Sequence, residues 1–426
     1  MSTPFPIDNL PYGVISTTDS PTPRCATALD NNAIDLSAIE KDGHFKPVPG
    51  FETDIFSQPT LNAFAALPQS SHSQARALLT TLLSDADNRR KYAIPLEKVI
   101  HHFPMETKNF SDFYCSLEHT QNCSKIMNIS TPSNWFIIPS VYNGRTSSLR
   151  ISGTPIRRPN GVFAPPSPSP SLSTSTSSTN TSNKPTFQPS THFDFELEIG
   201  LFLARPLAPG SILDIADAPG YIFGMVLLND WSARDIQGFE MVPLGPFHGK
   251  GAGTTISPWI VTMEALGACT AASAKVQDPP PLRHLAWRGR REEETWDVEL
   301  RARVIRNGKS YLVTETNLKE LYWTPYQQLA HLASAGEGLS TGDIFGTGTV
   351  TSSRINANGE NMGIACLLER HLPENKLASL AEGGIGFLED GDEVVMEGWC
   401  VNRNTGRRIG FGECSGVVLP ALNVYT

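Results

Sequence analysis

Glycine and proline occur throughout this chain, 34 and 33 times in 426 residues, and leave little room for long helices. Both residues favour turns, so the sequence predicts many short strands. Apolar residues make up 39% of the chain, which at this length can form a large core, so a disordered chain is excluded. No apolar run approaches the ~20 residues of a membrane-spanning helix. We therefore expect a mainly β (α+β) protein of more than one domain that does not span a membrane.

Charge and cysteine content exclude further classes of protein. The 34 Lys and Arg against 43 Asp and Glu give a net charge of −9, and no basic cluster is long enough for nucleic-acid binding. The seven cysteines are odd in number and lack CxxC spacing, which argues against a disulfide scaffold or a zinc ribbon. The opening residues MSTPFPIDNLPYG lack the basic and apolar regions of a secretory signal. The sequence thus predicts a reduced, cytoplasmic protein.

Local patterns divide the chain into two units and an insertion. Residues 1–104 predict a small unit, and residues 105–426 predict a larger, β-rich one. Strands are expected at 24–29, 33–36, 193–203, 221–228, 393–401 and 408–418, and helices at 73–87 and at 326–335 after Thr324 and Pro325. Residues 165–184 contain 16 Pro, Ser or Thr in 20 positions. This composition predicts a disordered insertion within the second unit, or alternatively a linker between domains.

Three acidic residues in predicted strands are candidate metal ligands. In the alternating stretch FDFELEIGLFL, Glu196 and Glu198 lie on one face of the strand. Two neighbouring carboxylates repel each other unless a cation lies between them, although a solvated strand face would need none. Asp230 ends the apolar run YIFGMVLLND, where it could be a site residue or the N-cap of the helix-like stretch that follows.

A fourth carboxylate, Asp112, precedes a histidine in the string SDFYCSLEH. If Ser111 caps a helix here, Asp112 and His119 share one face, since they are seven residues apart. Favourable charge in a first helical turn is the simpler explanation of Asp112. Carboxylates without nearby Cys or His pairs suit Mg²⁺ or Ca²⁺ rather than zinc.

Longer motifs resemble the fumarylacetoacetate hydrolase family. They are FPIDNLPYG at 5–13, DFYCSLEH at 112–119, SGTPIRR at 152–158, ELE at 196–198, NDWSARDIQ at 229–237, VPLGPFHGK at 242–250, GTTISPW at 253–259 and DGDEVV at 390–395. The match covers nearly the whole chain except 165–184, and runs of this length do not arise by chance. The chain is therefore identified as a member of this family, its N-terminal unit included.

The resemblance implies a fold, an activity and an assembly. The fold is a small N-terminal SH3-like barrel followed by a C-terminal distorted β-roll domain. The activity is hydrolysis of 4-fumarylacetoacetate to fumarate and acetoacetate, the last step of tyrosine and phenylalanine catabolism. The assembly is a homodimer. The other partner that the resemblance implies is a small diketo-acid substrate.

The resemblance also implies roles for individual residues. A Ca²⁺ or Mg²⁺ ion would be held by Asp112, Glu196, Glu198 and Asp230, with Lys250 and Thr254 in contact with the cation site. The catalytic base would be His119, oriented by Glu369, and substrate contacts would fall at Tyr114, Gln237 and Thr349. These residue types suit the chemistry, because an imidazole with a pKa near 6.5 can take a proton from water. Arg234 and Gln237, one helical turn apart, could donate hydrogen bonds to an oxyanion, and Lys250 adds positive charge.

Two departures from the family pattern concern substrate binding. Met241 stands where tyrosine is common, and no arginine follows His119 in KIMNIS, where Lys125 offers only a point charge. Two alternatives therefore remain open. One is a related diketo-acid hydrolase or decarboxylase that acts on an acylpyruvate or oxaloacetate, and the other is a non-catalytic, calcium-stabilised scaffold.

Overall fold

The computed structural model describes residues 3–164 and 184–423, so the predicted insertion at 165–184 lies outside the described residues except for Lys184. The first strands are β1 (Tyr12–Ser16), β2 (Arg24–Leu29), β3 (Asn32–Asp35), β4 (Ala93–Pro95) and β5 (Ile100–His102). They form an antiparallel sheet in the order β4-β3-β2-β1-β5. The helices between them are α1 (Leu36–Lys41), α2 (Asn62–Ala65), α3 (Gln69–Ser84) and α4 (Ala86–Tyr92).

The helix expected at 73–87 is in fact two helices. Helix α3 follows Pro68 and ends at Ser84, and the Asp85 side chain accepts hydrogen bonds from the first amides of α4. An aspartate that caps a new helix ends the preceding one, because its own backbone is extended. This first sheet joins the rest of the chain through Tyr12, which exchanges backbone hydrogen bonds of 2.9 and 2.7 Å with Ile260.

The rest of the described chain is mainly β, as predicted. In chain order its strands are β6 (Phe110–Phe113), β7 (Val141–Asn143), β8 (Leu149–Ile151), β9 (Ile156–Arg157), β10 (Asn160–Phe163), β11 (Thr186–Pro189), β12 (Phe193–Asp194), β13 (Leu197–Leu203), β14 (Ile222–Asp230), β15 (Ser232–Ala233), β16 (Thr254–Ile256), β17 (Val261–Thr262), β18 (Thr270–Ala271), β19 (Thr295–Trp296), β20 (Glu299–Arg306), β21 (Lys309–Asn317), β22 (Ile344–Gly346), β23 (Glu393–Val401) and β24 (Arg408–Leu419). The helices are α5 (Leu117–Met127), α6 (Arg234–Leu244), α7 (Met263–Leu266), α8 (Pro325–Leu332) and α9 (Ala378–Glu382).

Two large sheets share one core and position the site. The first has the order β7-β6-β22-β13-β14-β16-β8, with β17 also paired to β14, and the second has the order β21-β20-β23-β24-β9. Strands β13 and β14 are buried along their whole length. They are covered on both faces, which explains why their sequences are almost continuously apolar. Acidic residues at the ends of such strands are therefore removed from water. No helix in 3–164 or 184–423 is long and apolar enough to cross a bilayer.

The prediction that Ser111 caps a helix is wrong. Asp112 lies in β6, between β22 and β7, and helix α5 begins only at Leu117. The cap is Ser116, whose hydroxyl accepts a hydrogen bond of 3.1 Å from the amide of His119. Asp112 and His119 therefore do not share a helix face. Asp230 is not an N-cap either, because it ends β14 and α6 follows Ala233.

Gly348, just after β22, is expected to be intolerant of any side chain. Its φ is +75°, and a Cβ there would overlap the backbone carbonyl of Phe113. We expect Gly348→Ala to lower the free energy of unfolding by at least about 2 kcal/mol, since backbone cannot move aside cheaply. Gly391→Ala is the matched control, because Gly391 has φ +90° with nothing within 4 Å, and should cost only about 1 kcal/mol. Urea denaturation measures both, and equal losses would contradict the close approach.

Candidate active site

Four carboxylates meet where the first large sheet ends. Each of Asp112, Glu196, Glu198 and Asp230 offers an oxygen, and these oxygens all lie within 4.8 Å of one another. The sheet brings them together, because β6 runs parallel to β22 with Asp112 opposite Gly346, and β13 lies between β22 and β14. All four are buried, none more than 4% exposed. Below, these residues are called the carboxylate cluster.

Two cationic side chains neutralise part of the carboxylate cluster. The Lys250 ammonium contacts Glu196 and lies 2.8 Å from Asp230 Oδ2. Arg234 Nη1 donates to Glu196 Oε1 at 2.7 Å. Burial raises the pKa of Glu196, but the charges of Lys250 and Arg234 outweigh it and hold the pKa well below its ordinary value. Because an ammonium has no lone pair, Lys250 can stand beside a cation but cannot ligate it through its side chain.

The remaining charge of the carboxylate cluster is unbalanced. Within the part of the chain that the structure describes, Asp112 Oδ1 and Glu198 Oε1 are buried without a hydrogen-bond partner. Burial and the neighbouring carboxylates raise the pKa of both residues well above the ordinary value. Four carboxylates against Lys250 and Arg234, of which Arg234 also pairs with the buried Asp194, leave an excess of at least about two negative charges, most of which a divalent ion would cancel. These two unpartnered carboxylate oxygens therefore suit a hard cation such as Ca²⁺ or Mg²⁺, which prefers oxygen ligands.

Neighbouring hydroxyl groups orient the carboxylate cluster. Tyr142 donates to Asp112 Oδ2 at 2.8 Å and reaches Asp230 Oδ2 at 3.2 Å. Thr254 Oγ1 donates to Asp230 Oδ1 at 2.8 Å. A cavity of about 350 Å³ opens beside them and is lined by Tyr142, Asp230, Lys250 and Thr254, but not by His119. Its volume suits a small organic acid.

A histidine–carboxylate pair lies close to the carboxylate cluster. His119 Nδ1 donates to Glu369 Oε1 at 2.8 Å, and both side chains are almost fully buried. Glu369 also accepts hydrogen bonds from Asn122 at 2.7 Å and Thr351 at 2.7 Å. Burial raises the pKa of Glu369, but His119 and these donors outweigh it, so the carboxylate is ionised. Because an ionised carboxylate accepts from Nδ1, His119 Nε2 is left as the proton acceptor.

The environment of His119 raises the pKa of the imidazole and so makes it a stronger proton acceptor. Burial lowers the pKa of the imidazole, but the Cys123 sulfur and the Glu369 carboxylate outweigh it and raise the pKa well above 6.5. The His119 charge in turn helps to lower the pKa of Glu196, so the imidazole is within electrostatic reach of the carboxylate cluster. The Tyr114 ring packs edge-on against His119 with ring centroids 5.0 Å apart.

The other residues expected in the site take different positions. Arg234 is 8% exposed and also donates to Gln237 Oε1 at 3.1 Å, and its Nη2 is buried with no partner among the described residues. Thr349 is buried next to Gly348, whose amide donates to Glu198 Oε2 at 3.0 Å. Lys125 forms an exposed ion pair of 3.1 Å with Glu374, so it is engaged at the surface.

The sequence reasoning missed several residues that hold the site together. Asp194 is fully buried, and its Oδ2 accepts from Arg234 Nε and from the amide of Leu368, both at 2.9 Å. It thus connects the arginine to the short turn that carries Glu369. The one available signal was its position two residues before Glu196 in an otherwise apolar stretch. Tyr142, Asn122 and Thr351 gave no signal in spacing or composition, because their partners are distant along the chain.

Fold and site together define a mainly β protein with a buried carboxylate cluster and a carboxylate-paired histidine. Its family follows from comparison with known proteins. The family model for the fumarylacetoacetate (FAA) hydrolase C-terminal domain matches residues 108–419, and that for the fumarylacetoacetase N-terminal domain matches residues 8–104. The chain belongs to the fumarylacetoacetate hydrolase family, which confirms the resemblance seen in the sequence and, with it, the predicted fold class.

Related proteins match over their full length. The fumarylacetoacetase of Arabidopsis thaliana is 40% identical over 98% of this chain and 96% of its own length. The Homo sapiens fumarylacetoacetase is 40% identical over 98% of this chain and 97% of its own length. Among solved structures, a fumarylacetoacetate hydrolase from Exiguobacterium antarcticum has a TM-score of 0.50 at 16% identity, with 96% of this chain and 99% of that chain covered. At that identity the structural likeness shows the fold alone.

Proposed function

We propose that this chain hydrolyses a carbon–carbon bond of 4-fumarylacetoacetate to give fumarate and acetoacetate, the last step of tyrosine and phenylalanine catabolism. Relatives that bear the name fumarylacetoacetase match 98% of the chain at about 40% identity. The observation that carries the proposal is the buried carboxylate cluster with its two orphaned oxygens, next to the paired His119. Both features are expensive to bury, which favours a functional role.

The paired imidazole supplies the base in this reaction. His119 Nε2 takes a proton from water, and the resulting hydroxide attacks the carbonyl carbon. The ionised Glu369, held by Asn122 and Thr351, stabilises the imidazolium that forms and keeps Nδ1 protonated throughout. The same proton is then available to the departing carbon.

Cationic groups stabilise the negative charge that develops. A divalent cation bound by the carboxylate cluster would polarise the oxygens of the diketone as a Lewis acid. Arg234 Nη2 has no partner among the described residues, and Gln237, whose oxygen accepts from Arg234, keeps its amide nitrogen as a donor. These donors suit the oxyanion formed by hydroxide attack, with Lys250 adding positive charge, and loss of one would cost about 10²–10³ in turnover.

An absorbance assay for loss of the diketone chromophore tests the proposed reaction. Fumarylacetoacetate, an acylpyruvate and oxaloacetate are compared with and without a chelator. We expect the highest kcat/KM with fumarylacetoacetate, and activity that the chelator abolishes and Ca²⁺ or Mg²⁺ restores. Equal rates after exhaustive removal of cations would contradict the mechanism. A higher rate with an acylpyruvate would favour the related diketo-acid hydrolase, and cation binding without any turnover would favour the scaffold.

The pH profile should shift when Glu369 is replaced. A general base works only when neutral, so activity rises with pH through the pKa of His119. Because the Glu369 carboxylate raises that pKa, we expect Glu369→Gln to move this limb of the kcat/KM profile to lower pH while it lowers the maximum rate. Glu374→Gln is the control, since Glu374 lies in an exposed ion pair. An unshifted limb with Glu369→Gln would show that another group titrates.

Several finer features are also proposed. The bound ion would be Ca²⁺ or Mg²⁺, and the protein would act in the cytoplasm as a homodimer. Large apolar side chains at the C-terminal end of α6 support an assembly, since Val242 is 79% exposed and Leu244 is 97% exposed. The separate sheet of β1–β5, and family-model matches that end at residue 104 and resume at 108, support domains at 1–104 and 105–426.

A further inference from the structure

Two thiols surround the histidine–carboxylate pair, and the proposed reaction uses neither. Cys366 Sγ donates to Glu369 Oε1 at 3.2 Å. Cys123 is one helical turn after His119 on α5, and its Sγ lies 3.8 Å from Nε2 and 3.9 Å from Nδ1 of the imidazole. Ligand atoms of His119, Cys366 and Glu369 all lie within 4.8 Å of one another. We call these four side chains the thiol cluster.

The thiol cluster differs in chemistry from the carboxylate cluster. It offers sulfur, nitrogen and one carboxylate oxygen, which is a donor set for a soft or borderline cation, whereas Ca²⁺ and Mg²⁺ prefer oxygen alone. Its ligand atoms are close enough for one ion to span them. Cys366 and Glu369 are fully buried, so their present positions are fixed by packing and not by solvent.

We propose that the thiol cluster is a second, inhibitory metal site for Zn²⁺ or Cd²⁺, bound by Cys366 Sγ, His119 Nδ1 and Glu369, with Cys123 as the nearest candidate for a fourth ligand. The Cys366 thiol loses one proton to solvent when its sulfur binds the ion. Thiolate and carboxylate together then cancel the two positive charges, so the complex with three protein ligands is neutral and can remain buried.

Binding at this site removes the base. A metal ion on Nδ1 takes the place of the proton there, which moves to Nε2 when the imidazole is neutral and leaves to solvent when Nε2 already carries a hydrogen. An imidazole with the metal on Nδ1 and hydrogen on Nε2 has no lone pair for the proton of water. The ion also separates His119 from Glu369. Loss of activity on binding rests on the proposed function, but the binding itself does not.

The experiment uses the full chain saturated with Ca²⁺ or Mg²⁺ and titrates it with Cd²⁺. We expect one Cd²⁺ per chain to produce an ultraviolet thiolate-to-cadmium absorption band, to release protons detectable with a pH indicator, and to abolish hydrolysis. Cys366→Ser should remove the band and raise the inhibitory Cd²⁺ concentration at least about tenfold. Losing only a hydrogen-bond partner of a metal ligand already costs about 10–100-fold in affinity, and Cys366 is itself a ligand. Cys366→Ala repeats the test without a hydroxyl.

Cys25→Ser is the matched control. Cys25 is also a buried thiol, in β2, and its Sγ lies 3.6 Å from the carbonyl oxygens of Gln58 and Thr60. A serine hydroxyl at this position can donate to the same carbonyls. This variant should keep both the band and the inhibition. The proposal is overturned if the band is absent from the unmodified protein, or if Cys366→Ser binds and responds to Cd²⁺ unchanged, since the ion would then act at the carboxylate cluster. The band is measured without substrate, so it tests the site even if the proposed hydrolysis fails.

Discussion

Replacing His119 with alanine is expected to lower kcat for fumarylacetoacetate by about 10²–10⁴, the range found when a general base is removed. Among the residues that the structure describes near the carboxylate cluster, the His119 imidazole is the one proton acceptor paired with an ionised carboxylate, that of Glu369. KM should change little, because the carboxylates, Arg234 and Lys250 remain in place. The diketone absorbance assay gives both constants.

Cation binding separates this result from a general loss of structure. The His119→Ala protein should still bind Ca²⁺ or Mg²⁺ in a calorimetric titration, because His119 makes no contact with the four carboxylates that the structure records. His284→Ala is the control, since His284 is an exposed histidine. Activity within about threefold of the unmodified protein after His119→Ala would be far above the loss expected for a missing base and would place the base elsewhere.

The fold was predictable from the sequence where a pattern is local. Alternation or an apolar run in the sequence predicts strands at 24–29, 221–228 and 393–401, and the structure has strands there. Thr324 and Pro325 do begin α8. Ser111 shows the limit of local rules. A Ser-Asp pair resembles a helix start, but pairing of β6 with a strand more than 200 residues later decides the outcome, and no local pattern contains that partner.

The candidate site was predictable only in part, for a similar reason. Glu196 and Glu198 are neighbours in sequence, so their mutual repulsion could be inferred. That Asp112 and Asp230 join them came from the family resemblance, since spacing alone does not show convergence. Asp194 and Tyr142 were missed because their function is to hold other residues, and that is visible only when hydrogen-bond partners are known.

Lys250→Met should be the most destabilising change at the carboxylate cluster. Burial lowers the pKa of Lys250, but Asp230 and Glu196 outweigh it and raise the pKa above its ordinary value, so the lysine is charged. Methionine keeps much of the length of the side chain and leaves both carboxylates without the ammonium. Removing one partner of a buried ion pair costs about 3–5 kcal/mol, which we expect as a loss in the free energy of unfolding measured in chelator.

Glu198→Gln is the matched substitution and should have the opposite sign. Glutamine keeps the shape and can still accept from the Gly348 amide, but it removes a carboxylate whose pKa is raised by burial and by Asp112. In chelator we therefore expect unchanged or higher stability. Added Ca²⁺ or Mg²⁺ should then stabilise the variant less than the unmodified protein, where saturation at 100 times Kd contributes about 2.7 kcal/mol.

These two substitutions together test whether charge at the carboxylate cluster is balanced for a divalent ion. Urea denaturation is carried out on each variant and on the unmodified protein, once with chelator and once with cation. Each comparison therefore rests on four free energies of unfolding. If Glu198→Gln lost as much stability in chelator as Lys250→Met, the glutamate would be held by its hydrogen bond and not repelled by its neighbours. If the cation stabilised Glu198→Gln as strongly as the unmodified protein, Glu198 would not ligate it, and the site would have to be reduced to Asp112, Glu196 and Asp230.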